Sequence, residues 1–388
     1  MARTPKIPIN GDVLRWAREQ RGLGLEVAAK RLKITPERLA GIEAGDEDPT
    51  VAKLREMSEK YKRPLIVLLL DGVPQDFTAL KDFRSLRSDD ESSYSPALRD
   101  EIRRAREQQE IFAELNQALG EELVTSSLPT GTNAQELGTA LRDYLDLDEV
   151  ALVSTRNADD QLALWRSAVE AKGILVLQAS RVKVGEMRGF SLSDEQPHVI
   201  VLNGQDAARG KIFTLLHELA HLSSRSSGLC DLHSQSREPN DIEVFCNAVA
   251  GEAILPSARL LAMPVVANHM PGRPWTDREL EAIQKVAGGA SREVVLRRLV
   301  ALGRATREEY KAKRDEYRDA YEEWRRDRNK ASSGGPPPHR MQLRDRGRVF
   351  VRSVFDAHAD GFVTLAELTD LVGVKTQHLQ KLQEAAYS

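Results

Sequence analysis

Two histidines and a glutamate near the middle of the chain have the spacing of a metal-binding pair, in His217-Glu218-Leu219-Ala220-His221. Residues four apart lie on one face of an α-helix, so the two imidazoles can bind one Zn²⁺ ion. Glu218 follows the first histidine, where its carboxylate can accept a proton from a metal-bound water, whose pKa zinc lowers to about 7. The alternative interpretation is two histidines on an ordinary surface helix.

A catalytic zinc needs a third protein ligand and one open coordination position. A second apolar helix is predicted over residues 241–255, ending at Pro256, and in it Glu243 and Asn247 are again four apart. If this helix lies against the first, Glu243 becomes the third ligand. Asn247 then either orients Glu243 or His221 or bonds to the adjoining loop.

The elements that must position these side chains follow from hydrophobic patterning. Ile212, Leu215, Leu216 and Leu219 supply an apolar face to the His-Glu-x-x-His helix. Residues 197–203 (PHVIVLN) are typical of a buried strand, and residues 171–178 and 187–192 are its expected partners. Cys246 is expected to be a small core residue rather than a ligand. His198 and His233 are alternatives for an oxyanion-stabilising group.

The amino-acid sequence around these residues resembles the ImmA/IrrE family of zinc metallo-endopeptidases. The matching segments are PHVIVLN, then KIFTLLHELAHL, then EVFCNAVAGEAILP. The resemblance implies that His217, His221 and Glu243 are the zinc ligands and that Glu218 is the general base. It also implies a protein substrate, a helix-turn-helix transcriptional repressor. Val249 departs from the family, in which an aromatic residue often follows the asparagine by two positions.

The first 70 residues are predicted to form short helices. Thr35 followed by Pro36 is typical of a helix start, Gly45 is placed to end that helix, and residues 33–35 are a turn after the preceding helix. Two short helices joined by such a turn form a helix-turn-helix. With Ala28-Ala29 in the first helix, the segment resembles the lambda-repressor-like (XRE) family.

In that family the second helix enters the DNA major groove. Arg38 is the one plausible base reader there, and Lys30 and Lys33 are expected phosphate contacts. Residues 1–70 contain 14 Lys and Arg against 10 Asp and Glu, whereas the whole chain has a net charge of −3. DNA contact is therefore expected only through residues 1–72. The alternative is a helical module that contacts protein.

The C-terminal part contains two further patterns. A charged helix over residues 306–329 has one face with Tyr310, Tyr317, Tyr321 and Trp324. Residues 356–367 nearly match a calcium-binding EF-hand loop, but His358 is a poor ligand for calcium. A capping box of Thr364 and Glu367 at the start of a helix explains the same residues without a calcium ion. No internal repeat is visible.

The fold class expected from these patterns is multidomain and mainly α. An all-α helix-turn-helix domain precedes an α+β zincin-like peptidase domain with a small sheet, followed by a helical C-terminal region. The expected boundaries are 1–72 for the helix-turn-helix domain, 73–130 for a helical connector, 131–275 for the peptidase domain, 276–330 for a helical extension, 331–338 for a linker and 339–388 for a small helical segment.

Composition excludes several classes of protein. The longest apolar run, Leu65–Leu70, is far too short to cross a bilayer, and the N-terminal residues lack the apolar segment of a secretory signal. Two cysteines cannot build a disulfide framework. The chain is therefore expected to be cytoplasmic, without a membrane partner. The pattern does not specify the oligomeric state.

The function predicted is zinc-dependent endoproteolysis of a regulatory protein in a stress, mobile-element or toxin-antitoxin-like circuit. The alternatives are a DNA-binding regulator or antitoxin whose peptidase-like domain is not proteolytic, and a binding scaffold. Glu218 favours the enzyme, because an inactive fold has no chemical need for it.

Overall fold

The structure is a computed structural model that describes residues 6–61, 63, 65, 67–73, 94–121, 127–155, 157–193, 196–226, 239–331 and 337–388. The chain forms two compact units, Met1–Arg104 and Ala105–Ser388. Helix α5, Pro96–Leu119, contains the boundary between them. Each unit is described by itself below.

The first unit contains helices α1 (Gly11–Gln20), α2 (Leu25–Arg31), α3 (Pro36–Ala44) and α4 (Val51–Tyr61). The Thr35 hydroxyl accepts a hydrogen bond from the Arg38 amide, and Gly45 ends α3 with a φ of 85°. A left-handed residue at this position favours glycine, which has no Cβ to clash. The short apolar core between these helices includes Leu14, Leu32, Leu39, Ile42, Leu54 and Met57.

The second unit contains most of the helices. They are α6 (Ala134–Leu145), α7 (Glu149–Ser154), α8 (Ala158–Glu170), α9 (Ala208–Ser226), α10 (Pro239–Ile254), α11 (Ser257–Ala262), α12 (Pro264–Ala267), α13 (Asp277–Val286), α14 (Arg292–Ala301), α15 (Arg307–Ala331), α16 (Pro338–Arg346), α17 (Arg348–Ala359), α18 (Leu365–Val372) and α19 (Leu379–Tyr387). The His-Glu-x-x-His motif lies in α9 and Glu243 lies in α10.

A three-stranded sheet lies between α8 and α9 in sequence. Its strands are β1 (Leu175–Ala179), β2 (Gly189–Leu192) and β3 (Val199–Asn203), in the order β1-β3-β2. The central strand β3 is parallel to β1, with Leu175 opposite Val199, and antiparallel to β2, with Leu192 opposite Val199. All residues of β1 and β3 are buried, as expected of a sheet covered on both faces.

Helix α10 is held in place by polar contacts around its C-terminal end. Arg142 of α6 donates a hydrogen bond to the carbonyl of Ile254. The Glu252 carboxylate accepts hydrogen bonds from the amide and the hydroxyl of Ser257 and forms a buried ion pair with Arg298 of α14. Cys246 is fully buried in the same core. These contacts fix the helix that presents Glu243.

The last helices pack against each other and against the sheet. Helix α16 lies beside β1, and the Ser180 hydroxyl donates a hydrogen bond to Asp345. At the α16–α17 junction Gly347 has a φ of 82°, and a Cβ there would lie 2.9 Å from the Val176 carbonyl oxygen. Only glycine permits both this conformation and this approach.

The predicted fold class is confirmed: the chain has a helix-turn-helix domain, a domain with a small sheet and a helical C-terminal region. The His-Glu-x-x-His helix α9 ends at Ser226, and α10 begins at Pro239. The capping box of Thr364 and Glu367 is present. Within the described residues, no helix is long and apolar enough to span a membrane.

Candidate metal centre

The middle of helix α9 is almost entirely buried. From Lys211 to Ser224 every side chain is buried except those of Phe213 and His217, which are partly exposed. The two are four residues apart and therefore lie on one face, with ring centroids 6.3 Å apart. The partly exposed face of this stretch thus combines an imidazole with an aromatic ring.

Helices α9 and α10 bring His217, His221 and Glu243 together. Glu243 Oε2 lies 3.3 Å from His217 Nε2, and Oε1 lies 3.3 Å from His221 Nε2. The two Nε2 atoms are 3.1 Å apart, and the candidate ligand atoms all lie within 4.8 Å of one another.

This donor set fits a zinc ion. Bonds of about 2.0–2.1 Å in tetrahedral geometry place neighbouring ligand atoms about 3.3–3.4 Å apart. The separation of the two imidazole nitrogens, 3.1 Å, and the 3.3 Å from each imidazole to its nearer Glu243 oxygen are close to that value. Two imidazoles and one carboxylate also leave one tetrahedral position for water or substrate, as a catalytic site requires.

The electrostatics of the cluster couple the carboxylate to the imidazoles. Burial disfavours the charged form of Glu243, but hydrogen bonds to His217 and His221 outweigh it and lower the pKa of the carboxyl. Burial also lowers the pKa of His217, but Glu243, the Glu218 charge and the Asn247 side chain together raise it. The site therefore keeps Glu243 ionised, which is the form that binds a cation.

Glu218 follows His217 on α9, and its side chain contacts strand β2. It is 5% exposed, and its Oε2 accepts a hydrogen bond from the Ser191 hydroxyl at 3.0 Å. Strand β2 approaches this closely because residue 189 is glycine: a Cβ there would lie 2.4 Å from Thr214 Cγ2 and 3.6 Å from Glu218 Cγ. Strand β2 and α9 are thus in direct contact at the candidate base.

The other predicted site residues lie as follows. Asn247 forms a side-chain hydrogen bond with His217. The sequence instead predicts that Asn247 orients Glu243 or His221 or bonds to the adjoining loop. His233 lies outside the described residues. Ser191 and Phe213 were not identified from sequence. The four-residue spacing of Phe213 and His217 could have revealed Phe213, whereas no sequence pattern places β2 against α9.

In the first unit, the candidate DNA-contacting residues lie on and before α3. Lys30 and Lys33 are exposed, and Lys33 is in the left-handed conformation with a φ of 52°. Arg38 donates a hydrogen bond to Glu47 Oε1 at 3.0 Å. This ion pair lowers the pKa of Glu47, first through the hydrogen bond from Arg38. The candidate base reader is therefore paired with a carboxylate beyond the end of its own helix.

Comparison with known proteins finds a matching family for each of two segments of the chain. Residues 169–299 match the IrrE N-terminal-like domain of the Peptidase M78 family, and residues 14–68 match a helix-turn-helix family. The resemblances seen in the motifs are thereby confirmed for these two segments. No curated protein and no solved structure matches the chain. A Peptidase M78 domain implies a metal, usually zinc.

Proposed function

We propose that the chain is a zinc-dependent endopeptidase that cleaves a regulatory protein, a helix-turn-helix transcriptional repressor. The observation that carries this proposal is the position of Glu243, whose two carboxylate oxygens each lie 3.3 Å from one imidazole of the His-Glu-x-x-His pair. A Peptidase M78 domain over the same residues supports it independently.

A zinc ion held by His217, His221 and Glu243 would polarise a scissile carbonyl and lower the pKa of a water to about 7. Glu218 acts as general base: it takes the proton of the attacking water and later delivers a proton to the leaving amine. The Ser191 hydroxyl holds one oxygen of Glu218, which leaves the other free for proton transfer. Asn247 orients His217.

The substrate lies along the exposed side of this centre. Strand β2 is at the edge of the described sheet and contacts α9 beside Glu218. An extended peptide can add to such an edge through main-chain hydrogen bonds. The choice of a repressor rests on the family resemblance and on the helix-turn-helix domain that precedes the peptidase domain in the same chain.

The decisive experiment combines metal content with cleavage. Zinc-loaded protein is incubated with helix-turn-helix repressors encoded beside it, and the products are identified by mass spectrometry. We expect one defined cut with the unaltered protein and none with Glu218→Gln, which keeps its zinc. His217→Ala, His221→Ala and Glu243→Ala should each lose tightly bound zinc.

Two outcomes would contradict parts of this proposal. Equal loss of zinc in all four variants would show that Glu218 is a ligand rather than the base. Zinc binding without cleavage of any neighbouring repressor, together with tight binding to one operator, would favour the non-proteolytic DNA-binding regulator instead.

A further inference from the structure

The C-terminal helices repeat the arrangement of the helix-turn-helix in the first unit. Adding 340 to the residue numbers of α1, α2 and α3 leads to α17, α18 and the segment that contains α19. The same shift relates the buried side chains of the two segments. Buried in both are Val13 and Ser353, Leu14 and Val354, Ala17 and Ala357, Leu23 and Val363, Ala28 and Leu368, Leu32 and Val372, Leu39 and Leu379, and Ile42 and Leu382.

The turn between the last two helices is also repeated. Lys33 follows α2 with a φ of 52°, and its counterpart Gly373 follows α18 with a φ of 69°. In both segments the next helix then begins after an extended residue, Thr35 or Lys375. Two helices joined by a short turn with a left-handed residue form a helix-turn-helix. This finding corrects the expectation that the chain has no internal repeat.

From this arrangement we infer that residues 348–388 are a second helix-turn-helix that binds double-stranded DNA, with Thr376–Tyr387 as the recognition segment. The early side chains of a recognition helix meet base edges in the major groove. In this segment they include Thr376, Gln377, Gln380 and Lys381, all of which are exposed. Glutamine reads adenine with paired hydrogen bonds, and lysine reads guanine.

The counterparts of these residues in α3 are much less suited to reading bases. Pro36, Glu37, Ala40 and Gly41 occupy the matching positions. They supply one acid and no hydrogen-bond donor from a side chain. The reading capacity that the first helix-turn-helix lacks at these positions is therefore present in the second.

The remaining contacts of the recognition segment agree with this assignment. Leu379, Leu382 and Ala386 are buried against α16 and α17, so the inner face is occupied and the polar face is directed outward. Gln377 lies 3.2 Å from the neighbouring His378, and Gln380 donates to Glu384 at 3.0 Å. Both are contacts between exposed side chains on one segment, which DNA can replace at little cost.

The test uses the full chain and a pool of duplexes with a random segment of about 20 base pairs. Repeated selection should enrich a common sequence, and fluorescence anisotropy then gives the affinity for the enriched duplex. Gln380→Ala/Lys381→Ala should weaken that affinity by about 10-fold or more, since each good base contact is worth about 5- to 150-fold. Lys375→Ala should weaken binding to all duplexes alike and lower the salt slope by about one.

The matched control is Gln117→Ala/Lys285→Ala, which removes the same side chains from exposed positions on α5 and α13. It should bind the enriched duplex as the unaltered protein does, and circular dichroism should show equal helix content in both double variants. The inference is overturned if no sequence is enriched. It is also overturned if the enriched duplex binds Gln380→Ala/Lys381→Ala unchanged. Neither readout involves proteolysis.

Discussion

The Ser191 hydroxyl donates a 3.0 Å hydrogen bond to Oε2 of Glu218, and both side chains are at most 5% exposed. The bond joins strand β2 to helix α9 at the residue proposed as general base. Without the Ser191 hydroxyl, Oε2 of Glu218 would lose its only hydrogen bond from a side chain of the described residues. Ser191 therefore acts on the orientation of Glu218 rather than on the substrate.

Ser191→Ala should lower kcat by about 10-fold while leaving KM and zinc content unchanged. A misplaced catalytic group slows the chemical step without weakening the binding of substrate or metal. The variant should also reduce the free energy of unfolding by about 1–3 kcal/mol, because a buried acceptor is left unsatisfied. Steady-state kinetics with the repressor as substrate measure kcat and KM, and urea denaturation measures the free energy of unfolding.

The matched control for this variant is Ser257→Ala. Ser257 also donates from a buried hydroxyl to a buried glutamate, Glu252, at 2.7 Å, but on the far end of α10. It should lose similar stability and keep its kcat. Ser191→Thr, which retains a hydroxyl, should recover most of the activity. A kcat for Ser191→Ala equal to that of the control would rule out a positioning role.

Phe213 should determine which residue the peptidase prefers next to the scissile bond. Its ring shares the partly exposed face of α9 with His217, so it can contact an apolar side chain of the substrate. We expect Phe213→Ala to reduce kcat/KM by about 10-fold for peptides with an apolar residue beside the cut. A loss of this size corresponds to one or two methylene-sized contacts with the substrate. Peptides with alanine there should be cleaved at nearly the same rate by both proteins.

The comparison of the two peptide series separates specificity from general damage. An equal loss of kcat/KM on both series, or a loss of zinc, would indicate that Phe213 supports His217 and not the substrate. Phe213→Leu is a useful intermediate, because it keeps an apolar side chain at the same position.

The Glu252–Arg298 pair should contribute strongly to the stability of α10. Both side chains are buried, and burial lowers the pKa of Arg298, although the charge of Glu252 opposes this. Removing one partner of a buried pair leaves an uncompensated charge and costs about 3–5 kcal/mol. Glu252→Gln should therefore reduce the free energy of unfolding by about 3 kcal/mol in urea denaturation.

An exposed ion pair of the same domain provides the comparison. Glu281 lies 3.1 Å from Lys285 on α13, and its side chain is 52% exposed. Glu281→Gln should change the free energy of unfolding by less than about 1 kcal/mol, as is usual for surface pairs. If the two variants were equally stable, the buried pair would not be what holds the end of α10.

Local spacing explains what could be predicted of the site. His217 and His221 are placed by the helical period, and the same period relates Glu243 to Asn247, so each pair could be identified within one helix. The small sheet followed from the apolar run of residues 197–203. The contact of Ser191 with Glu218 depends on β2 lying against α9, which is a non-local packing arrangement that no pattern within either segment specifies.

The C-terminal repeat illustrates a second limit. Between the two matched helix-turn-helix segments, Ala17 and Ala357, Leu25 and Leu365, and Leu39 and Leu379 are identical, but most other pairs differ. What the segments share is which positions are buried and where the chain turns left-handed. Different apolar residues satisfy the same burial pattern, so the repeat becomes visible only when burial is known.

The pairing of Arg38 with Glu47 was equally hidden, because it joins residues nine apart across the turn after α3.

Glu47→Gln should increase the affinity of the full chain for duplex DNA at low salt. Glu47 lies in the acidic stretch Asp46-Glu47-Asp48 directly after α3, and its carboxylate holds the guanidinium of Arg38 at 3.0 Å. Neutralising it releases the Arg38 guanidinium for contact with DNA and removes one charge that repels the DNA backbone. The gain should shrink as salt is raised, because salt screens the attraction between the protein and the phosphates. Glu59→Gln on α4 makes the same change in net charge at an exposed position and should have a smaller effect.

Repeating both variants in the Gln380→Ala/Lys381→Ala background isolates the first helix-turn-helix. Anisotropy titrations at several salt concentrations measure how steeply the affinity for DNA falls with salt. If Glu47→Gln and Glu59→Gln bind alike in that background, Arg38 does not contact DNA, and the first helix-turn-helix is a protein-contact module.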